Sequence, residues 1–151
     1  YAASYFVIVN TPMNKKRPQF GFEDLEHSAD WALRAWAPDL PALFAECARG
    51  MYALAGIETG AGERVEQQIA LNAPDRETLL VDFLSELLFL AEAEGFAFDD
   101  VEVSMSADGL TADLRGAPVA AIRKEIKAVT YHGMSIEQEH GEYSVEVVFD
   151  V

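Results

Sequence analysis

The fold is indicated most clearly by residues 75–95, which read DRETLLVDFLSELLFLAEAEG. Asp75 is a typical N-cap residue and Gly95 is typical of the position just beyond a helix end, so a helix is predicted from Arg76 to Glu94. Apolar residues recur in it at spacings of three and four, which places them on one helix face: Leu79, Leu80, Phe83, Leu84, Leu87, Leu88 and Ala91. This broad apolar face requires a second layer of structure to cover it.

Strands are predicted on both sides of this helix, because apolar and polar residues alternate there or apolar residues form short runs. The predicted strands cover residues 20–26, 31–36, 65–71, 101–105, 110–114, 124–137 and 143–150. Asp108-Gly109 and His140-Gly141 predict tight turns between successive strands, whereas residues 56–62 predict a loop. The strands therefore follow one another mostly as hairpins, which favours an antiparallel sheet.

A second helix is predicted between Asp39, as its N-cap, and Gly56, just past its end. Cys47 lies in the apolar stripe of this helix, so we expect it to be a core residue and not a nucleophile. Because it is the single cysteine of the chain, an internal disulfide is excluded, and a reducing compartment is favoured. The elements together predict a compact single α+β domain, with two main helices packed against antiparallel β-sheet.

The chain has 151 residues, the usual size of one domain, and contains no internal repeat and no long linker. Residues 1–19 are predicted to form an N-terminal extension, in which Met13 is a candidate for the natural start. Residues 20–151 are predicted to form the domain itself. No run of 18 apolar residues occurs, so no membrane-spanning segment is predicted. The expected location is the cytoplasm.

Acidic residues strongly outnumber basic ones, with 26 Asp and Glu against 11 Lys and Arg and a net charge of −15. Such a chain repels phosphate backbones and anionic membranes, which disfavours direct nucleic-acid or membrane binding. From Glu77 to Asp113 there are ten acidic residues and no Lys or Arg. This run is either a solvated face or an acidic docking surface for a basic protein partner.

Two polar segments are candidates for chemistry. His27-Ser28-Ala29-Asp30 lies between two predicted strands, and the last predicted strand finishes at Asp150 and Val151. If Asp30 lies beside a free carboxylate at Val151, three carboxylates meet, and such oxygen ligands suit calcium, magnesium or manganese. The alternative is an ordinary turn and unpaired surface acids. A hydrolase built on Ser28 is disfavoured, because no nucleophile elbow surrounds it.

Four segments resemble the archease family, and they occur in the family's order. They are LEHSAD at 25–30, LLVDFLSELLFL at 79–90, KAVTYH at 127–132 and VFDV at 148–151. The resemblance implies a compact α+β domain. It also implies an accessory protein of the GTP-dependent ligase that joins tRNA exon halves, which promotes guanylylation and multiple turnover of that ligase without being an enzyme itself. RNA is then reached only through the ligase.

The resemblance further implies a metal site formed by Asp30, Asp150 and Val151. The expected cofactor is a divalent metal ion, calcium in the first place, with magnesium and manganese as alternatives. His27, Glu86, Lys127 and His132 lie in matching motifs and are candidate functional residues. Lys127 contacts either a phosphate or a neighbouring acid, and a structural role for His132 is the alternative to a functional one. A general chaperone or assembly factor is the alternative function.

Overall fold

The structure is a computed structural model that describes residues 18–25 and 31–151. Helix α1 is Leu40–Ala55, and helix α2 is Arg76–Phe89, which continues into a π-helical turn at Leu90–Glu94. The strands are β1 (Gly21–Leu25), β2 (Trp31–Ala37), β3 (Glu58–Thr59), β4 (Val65–Asn72), β5 (Phe96–Met105), β6 (Gly109–Ala121), β7 (Ala128–Thr130), β8 (Glu137–Glu139) and β9 (Glu142–Asp150). Within these two ranges, no helix has the length and apolar character needed to cross a membrane.

The strands form two antiparallel sheets. In the first sheet the order is β1-β2-β9-β7, and β8 also pairs with β9. In the second sheet the long strand β6 pairs with β3, β4 and β5. Since α1 contacts strands of both sheets, and the two helices contact each other, the predicted α+β architecture is confirmed.

The predicted boundaries of both helices rest on local capping, and the structure confirms the caps. The carboxylate of Asp39 accepts a hydrogen bond from Ala42 N at 2.8 Å, and that of Asp75 accepts one from Thr78 N at 2.7 Å. Gly56 ends α1 in the left-handed conformation, at φ 62°. Helix α2, however, is regular only to Phe89, because its last five predicted residues take the wider π-helical form.

The buried core contains the apolar faces predicted for the two helices. The rings of Phe44 on α1 and Phe83 on α2 lie 5.9 Å apart, which joins the helices through an aromatic contact. Cys47 is fully buried, and burial raises the pKa of its thiol far above the ordinary value. Its prediction as a core residue is therefore confirmed, since a thiol held neutral is a poor nucleophile.

The strand predicted over residues 124–137 is wrong. Only Ala128–Thr130 and Glu137–Glu139 are strands there, and they are separated by a turn. At the start of this segment the cause is tertiary, because Arg123 N and Lys124 N both donate to Ala55 O, at 3.0 and 2.9 Å. After β7 the chain turns, and Met134 N donates to Tyr131 O at 3.0 Å. The loop predicted over 56–62 also contains the short strand β3, and β5 and β6 are both longer than predicted.

Candidate functional site

The end of β9 lies between two other strands. Phe149 pairs with Trp31 of β2 on one side and with Val129 of β7 on the other. Next to it, Asp150 accepts a hydrogen bond at its main-chain oxygen from Lys127 N, at 2.7 Å. The inward positions of β9 alternate with outward ones, so Phe149 is buried and the Asp150 side chain is exposed. The exposed carboxylate thus projects from a main chain that is hydrogen-bonded at the strand end.

Of the predicted metal ligands, Asp150 and Val151 lie together at this strand end, and Val151 is half-buried against the core. Asp30 and His27 lie outside the described residues, so the predicted trio remains a prediction. No group of three or more acidic, histidine or cysteine side chains suited to a metal occurs within 18–25 and 31–151.

Basic side chains also lie at this end of the first sheet. The Nζ atom of Lys124 lies 5.6 Å from the centroid of the Trp31 ring, a cation–π distance. Lys127 is exposed and directly precedes β7. Neither Lys127 nor Asp150 forms a side-chain ion pair with any residue that the structure describes. Both charges are therefore available to a partner or ligand.

The remaining candidates are not brought to Asp150. His132 is exposed in the turn after β7, and because β7 runs antiparallel to β9, this turn leads away from the end of β9. Glu86 is half-buried on α2, and no hydrogen bond or ion pair links it to Lys127 within the described part of the chain. The structure thus groups Lys127, Asp150 and Val151, and it leaves Glu86 and His132 separate from them.

A cleft of about 300 Å³ beside Lys127 was not predicted from the sequence. Its lining comes from the last turns of α2, the π-helical turn and the segment before and within β7: Ser85, Leu88, Phe89, Glu92, Ile126, Lys127, Ala128 and Val129. It was missed because residues 124–137 read as one continuous strand. The signal that could have revealed it is Phe89, a large apolar residue that lies off the predicted apolar face.

A larger cavity, of about 490 Å³, is lined by residues of β1, α1, β3 and β5, among them Tyr52. The Tyr52 hydroxyl accepts a hydrogen bond from Phe98 N at 3.3 Å, and burial raises its pKa to about 12. The two carboxylates of the lining, Glu58 and Asp99, are paired with arginines at 2.8 and 2.7 Å. With its acids neutralised and its tyrosine held protonated, this cavity has the composition of a structural pocket and not of an acid–base site.

The chain matches the model of the Archease protein family (MTH1598/TM1083) over residues 22–151. It is 34% identical to "Protein archease" of Methanopyrus kandleri, with 86% of this chain and 99% of that protein aligned. It is 33% identical to "Protein archease-like" of Drosophila melanogaster, with 89% and 92% aligned.

Two solved structures are also similar. The solution structure of Methanobacterium thermoautotrophicum protein 1598 has a TM-score of 0.66 and 30% identity, and the match covers 87% of this chain and 99% of that one. The crystal structure of a Thermotoga maritima archease, described as a possible chaperone, has a TM-score of 0.64 over 93% and 100% of the two chains. At 21% identity, the second likeness concerns the fold alone.

Proposed function

The chain belongs to the archease family, and from this premise we propose that it is a non-catalytic activator of a GTP-dependent RNA-splicing ligase in tRNA splicing. It promotes attachment of guanylate to the ligase and returns the ligase to an active state between turnovers. The ligase is its protein partner, and RNA is reached only through that partner. The expected location is the cytoplasm.

The observation that carries the proposal is the exposed Asp150 carboxylate at the end of β9. Its main chain pairs with β7, the preceding Phe149 pairs with β2, and no described residue pairs with its side chain. A charged group that the fold neither buries nor neutralises is available for a partner or a cation. Trp31, which follows Asp30 in the sequence, pairs with Phe149, which precedes Asp150. Chain connectivity therefore favours a joint role for the two aspartates.

We propose Asp30, Asp150 and a main-chain oxygen of Val151 as ligands of a divalent metal ion, with calcium first and magnesium or manganese as alternatives. Such an ion, when bound, neutralises negative charge on nucleotide phosphates. The chain's own residues position the site. Lys127 N donates a hydrogen bond to the main-chain oxygen of Asp150 at 2.7 Å, and the side chain of Phe149, which precedes Asp150, is buried. Lys127 adds a positive charge that can meet a phosphate.

The net charge of −15 supports a protein partner and not RNA as the direct contact. A ligase that binds RNA needs a basic surface around its active site, because phosphate contacts are made by Lys and Arg. An acidic accessory protein is attracted to that surface over long distances and is oriented as it approaches. The same charge keeps the accessory protein away from free RNA.

The test is ligation of a cleaved tRNA by limiting cognate ligase with GTP and a divalent ion. We expect the wild-type chain to convert a single turnover into many, and Asp150→Asn to abolish this gain while remaining folded, because the exposed side chain contributes no packing. Asp108→Asn, the same substitution at an exposed hairpin turn, is the matched control and should activate normally. Wild-type protein that changes neither guanylylation nor turnover would contradict the proposal.

A general chaperone is the second candidate, because a structurally similar archease is described as a possible chaperone. A chaperone needs a large exposed apolar surface. The large apolar side chains exposed in the described ranges are single residues far apart in the sequence, and only the second of them lies in a helix or strand: Phe20, Phe89, Ile122 and Tyr131. Suppression of aggregation of an unrelated unfolded protein, unchanged by Asp150→Asn, would favour the chaperone over the activator.

A further inference from the structure

We propose that the cleft between the end of α2 and residues 126–129 is a docking site for a lysine or arginine side chain of the basic protein partner. The inference rests on the proposed function, because the partner is taken to be the RNA-splicing ligase. It adds to that function a second contact surface, distinct from Asp150. Two residues of its lining adjoin Asp150, because Lys127 N donates to Asp150 O and Ala128 pairs with Asp150, so both surfaces can face the same partner.

The cleft has an apolar floor and a polar rim. Leu88, Ile126 and Val129 form buried parts of its lining. Ser85, Phe89 and Glu92 are exposed and lie along one helix face, at spacings of three and four, and Lys127 and Ala128 are exposed on the opposite side. A long basic side chain matches this arrangement, because its methylene stem is apolar and its head is charged.

Phe89 provides a surface for the cationic head. It is 52% exposed, although it is large and apolar, and it lies where α2 passes into the π-helical turn. Turns of this kind occur frequently at functional sites. An ammonium or guanidinium group placed over an aromatic ring is attracted to the negative face of the ring. Exposure of the ring is therefore costly in the free protein and useful in the complex.

The charge at the rim also favours a cation. Burial and, secondly, the nearby carboxylate of Glu125 raise the pKa of Glu92, so two like charges are held close together. Neither forms an ion pair with any described residue. Elsewhere the chain neutralises its own acids, as where Arg115 contacts Glu66 and Asp100 at 3.4 and 3.1 Å.

Lys127 contributes one positive charge to this rim and Glu92 one negative charge, and Glu125, which directly precedes Ile126 of the lining, adds a second negative charge near Glu92. The rim therefore remains net negative and attracts an incoming cation. Lys127 also links the cleft to the end of β9, because its main-chain N–H donates to Asp150 O. A partner side chain anchored in the cleft would thus fix the orientation of Asp150 towards the partner.

The experiment is isothermal titration calorimetry of the purified cognate ligase with the full chain and its variants. We expect Glu92→Gln and Phe89→Ala each to raise Kd about tenfold, as for side chains at the centre of an interface. Glu94→Gln, in the same π-helical turn but outside the cleft, and Phe20→Ala, at a ring 48% exposed, are the matched controls and should bind as the wild type does.

The thermal stability of Glu92→Gln separates docking from folding. Because the substitution removes a repulsion, Tm should be kept or raised while binding is weakened, and a merely structural role would lower both. Kd values within twofold of wild type for both cleft variants would overturn the docking site, as would equal losses in the two controls. If wild-type protein does not bind the ligase at all, the proposed function fails as well. If Asp150→Asn binds normally but does not activate, the proposed function stands whatever the cleft variants do.

Discussion

Glu46 on α1 is a charged side chain that the fold buries, with 5% of its surface exposed. Burial raises the pKa of its carboxyl, and the Arg49 guanidinium, 2.9 Å away, opposes this rise without cancelling it. A carboxylate in such a place costs stability when it is ionised. At the scale of one residue, therefore, the free energy of unfolding depends on pH.

The sign of this dependence follows from the raised pKa. Folded protein holds the Glu46 proton at pH values where unfolded protein has released it. The contribution of Glu46 to stability therefore falls as the pH rises from 4.5, the ordinary pKa of the carboxyl, through its raised pKa in the folded protein. We expect Glu46→Gln to remove this decline. Urea unfolding of both proteins between pH 4 and 7 checks it, and stability curves that stay parallel over this range would refute the assignment.

At the scale of elements, the pairing of β5 with β6 depends on Gly116. The register shifts between Phe98 and Asp100, so Asp99 is an extra residue in β5, a β-bulge. A Cβ atom at Gly116 would overlap Ala97 O and lie 2.7 Å from Phe98 Cα. Only glycine allows the two backbones to approach this closely. The bulge directs Asp99 outward, where it pairs with Arg64 at 2.7 Å.

We expect Gly116→Ala to lower the free energy of unfolding by about 3 kcal/mol, because the backbone has to move to remove the overlap. Gly62→Ala is the control, since the nearest atoms to its Cβ would be those of the Pro118 side chain, at 3.3 Å. Denaturant unfolding of both variants measures the difference. A Gly116→Ala protein as stable as the control would mean that the bulge can rearrange at little cost.

Individual elements show which parts of the fold could be predicted from the sequence and which could not. Caps such as Asp39 and Asp75 act on amides three residues away, so local patterns reveal the helix starts. The path of residues 122–127 depends on hydrogen bonds to Ala55 O, which no local pattern encodes. The proximity of Lys127 to Asp150 is likewise a product of strand order. The residue types at the candidate site could be selected from charge and resemblance, but their grouping required the fold.

At the scale of the whole molecule, the net charge is −15, and described acidic residues lie on both sheets and on α2. We expect the association rate with the ligase to fall about tenfold between low salt and 0.3 M salt, because screening shortens the reach of steering. Stopped-flow measurements at increasing salt test this, with Tm followed over the same series as the control for folding. A salt-independent rate would show that contact is not guided by charge.

The position of β9 between β2 and β7 has a consequence for how the chain is made. β1 and β2 are synthesised early. β9, which joins them to the rest of their sheet, is the last of the described strands to be synthesised. Until then, β2 exposes an unpaired edge, and pairing of residues so distant in sequence is slow. Nascent chains therefore cannot complete the first sheet during most of translation. A ribosome that stalls before β9 produces a polypeptide without Asp150, so under the proposed function such a product would not compete with the intact protein through that residue.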